Sequence, residues 1–217
     1  MRTEYLVWDW NGTLLDDVPA CIRVMDGMLE RRGLPPRSPE RYRELFTFPV
    51  SEYYLAAGLD FSQEPFEDLA GEYIAEYNRL ARSCPLFPGT EEVLAQMEAL
   101  GVSQVIASAS QQETLREQVE QRGIEGRFQA LLGIGDIYGG GKEGVARRYF
   151  QEREAPADSI LFAGDTVHDF EVARDLGCAC VLIAAGHQSR EKLEATGAPV
   201  LNGIRELPAY WERERGK

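Results

Sequence analysis

Four places in this chain combine residue type and position in a way that suits chemistry on a phosphoryl group. Asp9 follows the apolar run YLVW at 5 to 8 and is followed by Gly12 and Thr13. Ser108 ends the apolar run QVIAS, where its hydroxyl and the backbone N–H of Ala109 are placed to hold a phosphoryl oxygen. Lys142 stands directly after Gly139, Gly140 and Gly141, and the other two lysines of the chain lie far along it at 192 and 217. A cation opening a helix opposes the helix dipole, so capping alone does not account for it. Asp165 and Asp169 follow the run ILFA in the segment GDTVHD. Two carboxylates this close repel unless a positive charge lies between them, and with Asp9 they make a set of hard oxygens suited to Mg²⁺. A carboxylate nucleophile, a hydroxyl clamp, a cation and a divalent-metal site are the parts of phosphoryl transfer through an aspartyl-phosphate.

These residues need a sheet to bring them together. Short continuous apolar runs at 5–8, 104–108, 130–133, 160–164 and 179–184 alternate with helical patterns at 90–100, 111–122, 142–153 and 168–176. That rhythm predicts a doubly wound parallel sheet of Rossmann-like α/β type, covered on both faces. Ligands bind such a sheet beyond the carboxyl ends of its strands, where all four places fall. Between the first strand and the rest lies a stretch from 17 to 84 with helical periodicity and no convincing strand. Ile22, Met25, Met28 and Leu29 share one face there, as do Phe66, Leu69, Tyr73, Ile74, Tyr77 and Leu80. The expectation is a core of residues 1–16 and 85–217 with an inserted helical unit, 17–84.

Composition narrows the partners. At 217 residues the chain is long enough for a sizeable core. Its net charge of −13 argues against nucleic acid and anionic membranes. No apolar run approaches the length of a membrane helix, and Glu4 and Asp9 interrupt the N-terminal run in a way that does not fit a secretory signal, so a cytoplasmic location is expected. Cys21, Cys84, Cys178 and Cys180 have no nearby His to complete a zinc set and read as thiols.

The ordered segments DWNGTLLDD, VIASAS, GGGK and GDTVHD resemble the motifs of the haloacid dehalogenase superfamily of phosphohydrolases over almost the full chain. The chain is similar to the subgroup with a helical cap inserted after the first motif, which includes phosphoglycolate phosphatases and sugar phosphomutases. The resemblance implies Asp9 as nucleophile, Ser108 as phosphate ligand and Lys142 as the cation stabilising the phosphoryl group. It also implies Mg²⁺ held by Asp9, Asp165, Asp169 and the backbone carbonyl of Asn11. The 217-residue length and the small inserted unit favour a small phosphorylated metabolite as substrate, and a monomer or homodimer is expected.

Asn11 departs from the family pattern. Most of these phosphatases carry an Asp there, which protonates the leaving oxygen and later deprotonates the attacking water. An amide orients a water but exchanges no proton near neutral pH. A missing general acid/base costs about 10²- to 10⁴-fold, least for good leaving groups. Slow or selective hydrolysis, phosphotransfer, and ligand binding with weak turnover all fit the substitution. His168 is the nearest other proton carrier in sequence, although its neighbours read as a flank of the metal turn. The dehalogenases lack a metal site, and the Schiff-base C–P hydrolases of the superfamily use a cap lysine that this cap does not have. In the inserted unit, Arg41 and Arg43 are the candidates to meet an anionic end of the substrate.

Overall fold

The computed structural model describes residues 4–135 and 142–215. Its sheet has six strands, all parallel: β1 (Tyr5–Trp8), β2 (Ser103–Gln111), β3 (Ala130–Ile134), β4 (Ile160–Gly164), β5 (Ala179–Ile183) and β6 (Val200–Leu201). The spatial order is β3-β2-β1-β4-β5-β6, so the chain moves first to one side of β1 and then to the other. The reversal puts a crevice at the carboxyl ends of β1, β2 and β4. The doubly wound α/β expectation is met, with β6 as an additional short edge strand.

Helices α1 (Val18–Arg31), α2 (Pro39–Leu45), α3 (Val50–Ala57) and α4 (Phe66–Ala81) fill the stretch between β1 and β2, and α5 (Thr90–Ala99) leads back into the sheet. Beyond β2 come α6 (Gln112–Gln121), α7 (Lys142–Glu152), α8 (Val167–Leu176), α9 (Arg190–Glu194) and α10 (Leu207–Arg215). The two faces of the sheet bury separate apolar clusters, because alternate residues of a strand point to opposite sides. Leu6 and Trp8 belong to one, Tyr5 and Val7 to the other. A third cluster is built within α1 to α4 from Val24, Met28, Tyr42, Tyr53, Leu69 and their neighbours. The two crossings between these helices and the sheet run side by side. Asp16 N donates to Pro85 O at 2.9 Å, and Phe87 N to Leu14 O at 2.9 Å.

One strand differs from the sequence reading in extent. Strand β2 continues to Gln111, past Ser108, but its pairing with β3 shifts register between Ala107 and Gln111. Residues 108–110 thus lie in an irregular part of the strand, which frees their backbone for other partners. Helix α3 ends on Gly58, which takes the left-handed conformation as its C-cap. The glycine run 139–141 lies outside the described residues.

Candidate active site

The end of β1 sets the geometry. Asp9 N donates to Ala163 O of β4 at 2.8 Å, continuing the ladder by one residue. Strand alternation then sends Trp10 away from the crevice, where it is fully buried and donates Nε1–H to Gln118 at 2.6 Å. Asp9 and Asn11 both line the cavity on the other side. Gly12 has φ of 75° and lies against the Asp165 carboxylate and the His187 ring, so any side chain there would collide with both.

Lys142 opens α7 and is buried, with its ammonium between Asp9 and Asp169 and bonded to a carboxylate oxygen of each. Burial opposes the charge on Lys142, but the two carboxylates outweigh it and raise the pKa. The other oxygen of Asp169, Oδ2, accepts from Asp165 N at 3.1 Å, Thr166 N at 2.9 Å and Thr166 Oγ1 at 2.7 Å. With Thr166 as N-cap, this is a capping box that starts α8 and locks Asp169 in place. Burial works against its charge, yet Lys142 and Thr166 hold its carboxyl below the ordinary value. Asp165 accepts from Thr13 Oγ1 at 2.9 Å and from His187 N at 2.6 Å. Burial, with Asp169 nearby, pushes Asp165 up to about 6 despite His187. Asp9 is raised well above its ordinary value, first by burial and then by the other two carboxylates, against the pull of Lys142.

Asp9, Asp165 and Asp169 each offer an oxygen within 4.8 Å of the others. One ammonium bonds two of the three buried carboxyls, which leaves a surplus of negative charge that adds to the effect of burial in raising Asp9 and Asp165. A hard divalent cation fits both this donor set and that surplus.

The sequence reading places Ser108 on the phosphate, but in the structure it sits behind the cavity wall, fully buried, with its Oγ accepting from Ser110 N at 3.0 Å. Ala109 and Ser110 form the wall itself. Neither cap arginine reaches the cavity. Arg43 Nε donates to Gly186 O at 3.0 Å, tying α2 to the loop after β5, and Arg41 pairs with Glu44 at 2.8 Å on the exposed face. Their spacing on α2 carried no information about which way that helix faces. His168 does line the cavity, packed on Phe48 with ring centroids 4.9 Å apart.

Three further residues hold the Asn11 side chain, and none stood out in the sequence as a site residue. Asn11 Nδ2 donates to Asp17 Oδ2 at 2.8 Å and to Tyr77 OH at 2.6 Å, while its Oδ1 accepts from Ser110 Oγ at 2.8 Å. Tyr77 OH donates in turn to Asp17 Oδ2 at 2.7 Å. The amide is thus fully satisfied and joins α4, β2 and the start of α1. Asp17 occupies the N-cap position of α1 but does not cap it with its side chain. Its Oδ1 instead accepts from Gly12 N at 2.9 Å and pairs with His187 Nε2 at 3.3 Å.

His187 Nδ1 lies 2.8 Å from Tyr42 OH, and its ring stacks on Phe46 at 4.8 Å. Burial disfavours the imidazolium, yet Asp17, then Asp165 and Asp9, raise its pKa to about 9. The carboxyl-end rule applied to the segment after β5 was the one available pointer to His187. Asp17 read only as a helix start.

Comparison with known proteins agrees with this geometry. A family model described as haloacid dehalogenase-like hydrolase matches residues 6–183. A phosphoglycolate phosphatase of Vibrio parahaemolyticus is 26% identical over 204 residues, covering 89% of each chain. An N-acetylmuramic acid 6-phosphate phosphatase of Pseudomonas putida is 28% identical over 191 residues, covering 86% of this chain and 85% of its own. Among solved structures, a haloacid dehalogenase-like hydrolase of Streptococcus pneumoniae superposes with a TM-score of 0.82 at 19% identity, covering 96% of this chain and 98% of its own. Protein tyrosine kinase A of Mycobacterium tuberculosis superposes with a TM-score of 0.79 at 24% identity, covering 97% and 99%. These structural likenesses show the fold alone, which is shared by proteins of different activity.

Proposed function

Because the chain belongs to the haloacid dehalogenase-like hydrolases, we propose that it is a Mg²⁺-dependent phosphatase that cleaves a small phosphorylated metabolite through a phosphorylated Asp9. The observation that carries this reading is the buried convergence of Asp9, Lys142, Asp165 and Asp169 at the carboxyl ends of β1 and β4. The phosphatase relatives support the substrate class.

In this reading a carboxylate oxygen of Asp9 attacks phosphorus and the ester P–O bond breaks, with its electron pair leaving on the alcohol oxygen. Water then attacks the same phosphorus, and the bond to Asp9 breaks to release phosphate and regenerate the carboxylate. Bound Mg²⁺ would be held by Asp9, Asp165, Asp169 and the Asn11 carbonyl and would offset the negative charge of the phosphoryl oxygens. Lys142 adds a second positive charge beside Asp9 and keeps Asp9 oriented. Ser108 acts through Ser110, and Thr13 holds Asp165 in register with Asp9. The helices from 17 to 84 serve as a cap that excludes water.

Asn11 moves no proton, so departure of the alcohol rests on its own acidity or on solvent. A slow second step would favour transfer of the phosphoryl group to another acceptor, and the fully engaged Asn11 amide supports that second reading. Mg²⁺-dependent phosphate release from a panel of phosphomonoesters tests the proposal, with Asp9→Asn as control. Release that persists in Asp9→Asn refutes it. Release to an added alcohol acceptor in place of water identifies the transferase.

A further inference from the structure

We propose that the leaving group this site accepts is an aryl oxide, so that its substrate is a small aryl phosphomonoester and not a carboxylated or sugar phosphate. The inference rests on the phosphatase reading above and concerns the part of the substrate that the reading leaves open.

The first observation is the cavity. It has a volume of about 320 Å³, with Asp9, Asn11 and Lys142 at one end, and it extends under α3 and α4 of the cap. Its far wall is made by Phe48, Val50, Tyr54, Phe66, Tyr73 and Ile74. Among the described residues lining it, Lys142 is the one Lys or Arg, and it is already bonded to Asp9 and Asp169. Arg43 on α2 does not line the cavity and spends its Nε–H on Gly186 O. The His187 imidazolium also lines the cavity but is already paired with Asp17, so a carboxylate carried on the leaving group would be buried against rings with no unpaired cation to meet it, which is strongly unfavourable. A sugar would bury several hydroxyls against the same wall. A phenyl ring buries apolar area there without such a cost and meets ring edges and faces in favourable geometry.

The second observation is Asn11, which is independent of the cavity wall. With an amide two residues after the nucleophile, the leaving oxygen departs without a proton from that position. An alkoxide is the anion of an acid about as weak as water, with a pKa of ~15.7. A phenoxide is the anion of an acid with a pKa of ~10. When Asp9 attacks phosphorus and the P–O(aryl) bond breaks, the phenoxide carries the electron pair away and takes its proton from solvent. The shape of the cavity and the chemistry of position 11 therefore select the same leaving group.

The test uses the full chain with Mg²⁺. Turnover of phenyl phosphate is compared with 2-phosphoglycolate, glucose 6-phosphate and acetyl phosphate, the last being an activated leaving group without a ring. Binding of phenylphosphonate and phosphonoacetate, which are not hydrolysed, is measured in parallel by thermal shift. The expected result is a kcat/KM for phenyl phosphate at least about tenfold above phosphoglycolate and glucose 6-phosphate. Its KM should also lie below that of acetyl phosphate, because the ring adds binding as well as leaving ability. Phenylphosphonate should bind about tenfold more tightly than phosphonoacetate. Ser51 on α3 also lines the cavity, and Ser51→Arg, which adds a cation to that wall, should reverse the phosphonate preference.

The assignment is overturned if phosphoglycolate or glucose 6-phosphate is turned over faster than phenyl phosphate, or if the two phosphonates bind equally. If phenylphosphonate binds preferentially while no ester is hydrolysed, the phosphatase reading fails and the ligand class stands.

Discussion

Replacing Asn11 by Asp restores the residue that most of these phosphatases carry, yet this structure predicts a penalty. The Asn11 amide nitrogen sits 2.8 Å from Asp17 Oδ2. An Asp side chain in the same rotamer would place a second carboxylate oxygen there. At an effective dielectric of about 20, two unit charges at that distance repel by about 6 kcal/mol, more than the cost of binding a proton. The pair would therefore hold one proton between them, as closely spaced carboxyls do. Keeping a carboxyl of ordinary pKa ~3.9 protonated costs about 4 kcal/mol at pH 7 and about 1.5 kcal/mol at pH 5.

The folded pKa in the variant lies above the unfolded value, so the native state binds the extra proton. Stability relative to wild type falls as pH rises from about 4 and levels off once pH passes the folded pKa. Urea denaturation of wild type and Asn11→Asp in EDTA at pH 5, 6 and 7 measures this. A gap that widens by about 1.4 kcal/mol per pH unit is expected until the plateau. Asn11→Ala, which loses the same hydrogen bonds without adding charge, should show a gap independent of pH. An Asn11→Asp variant as stable as wild type at pH 7, or with a gap that does not change with pH, would refute the reasoning. The shared proton also lies beside the reacting centre, so the variant should raise turnover of alkyl phosphomonoesters at low pH far more than that of phenyl phosphate.

Other perturbations have equally definite outcomes. Lys142→Met leaves Asp9 and Asp169 facing each other in a buried site and should cost about 3–5 kcal/mol in metal-free protein, seen as a lower urea midpoint and partly recovered on adding Mg²⁺. Asp165→Asn removes a carboxyl that burial holds near 6. It should raise metal-free stability at pH 7.5 by about 1–2 kcal/mol while abolishing the Mg²⁺-dependent thermal shift, a gain that separates stability from ion binding. His187, with a pKa raised to about 9, stabilises the fold fully below its unfolded value of ~6.5 and loses that contribution as pH rises through 9. Wild-type stability in EDTA should therefore drop by on the order of 3 kcal/mol across that window, and His187→Gln should flatten the profile. An unchanged slope in His187→Gln would assign the drop to another group.

Much of this arrangement was legible from local pattern. The continuous apolar runs and intervening helical stretches are direct consequences of burying a parallel sheet on both faces, and they located every long strand. Asp9, Lys142, Asp165 and Asp169 could be singled out because each stands where a strand ends or a helix begins, and the structure brings all four together. Tertiary structure alone decided what surrounds Asn11. Tyr77 lies on α4 and Ser110 on an irregular part of β2, and their meeting at one amide depends on how the inserted helices settle on the sheet. The same packing turned Arg43 onto the Gly186 carbonyl and left a wall of rings over the crevice. Helical periodicity shows that a face is apolar, but it is silent on whether that face packs against its own helices or lines a cavity. His187 owes its raised pKa to Asp17, Asp165 and Asp9, brought beside it from distant parts of the chain. Chemistry carried by one strand end can be read from sequence, whereas charge balance and cavity lining arise from contacts between elements whose relative placement no local pattern encodes.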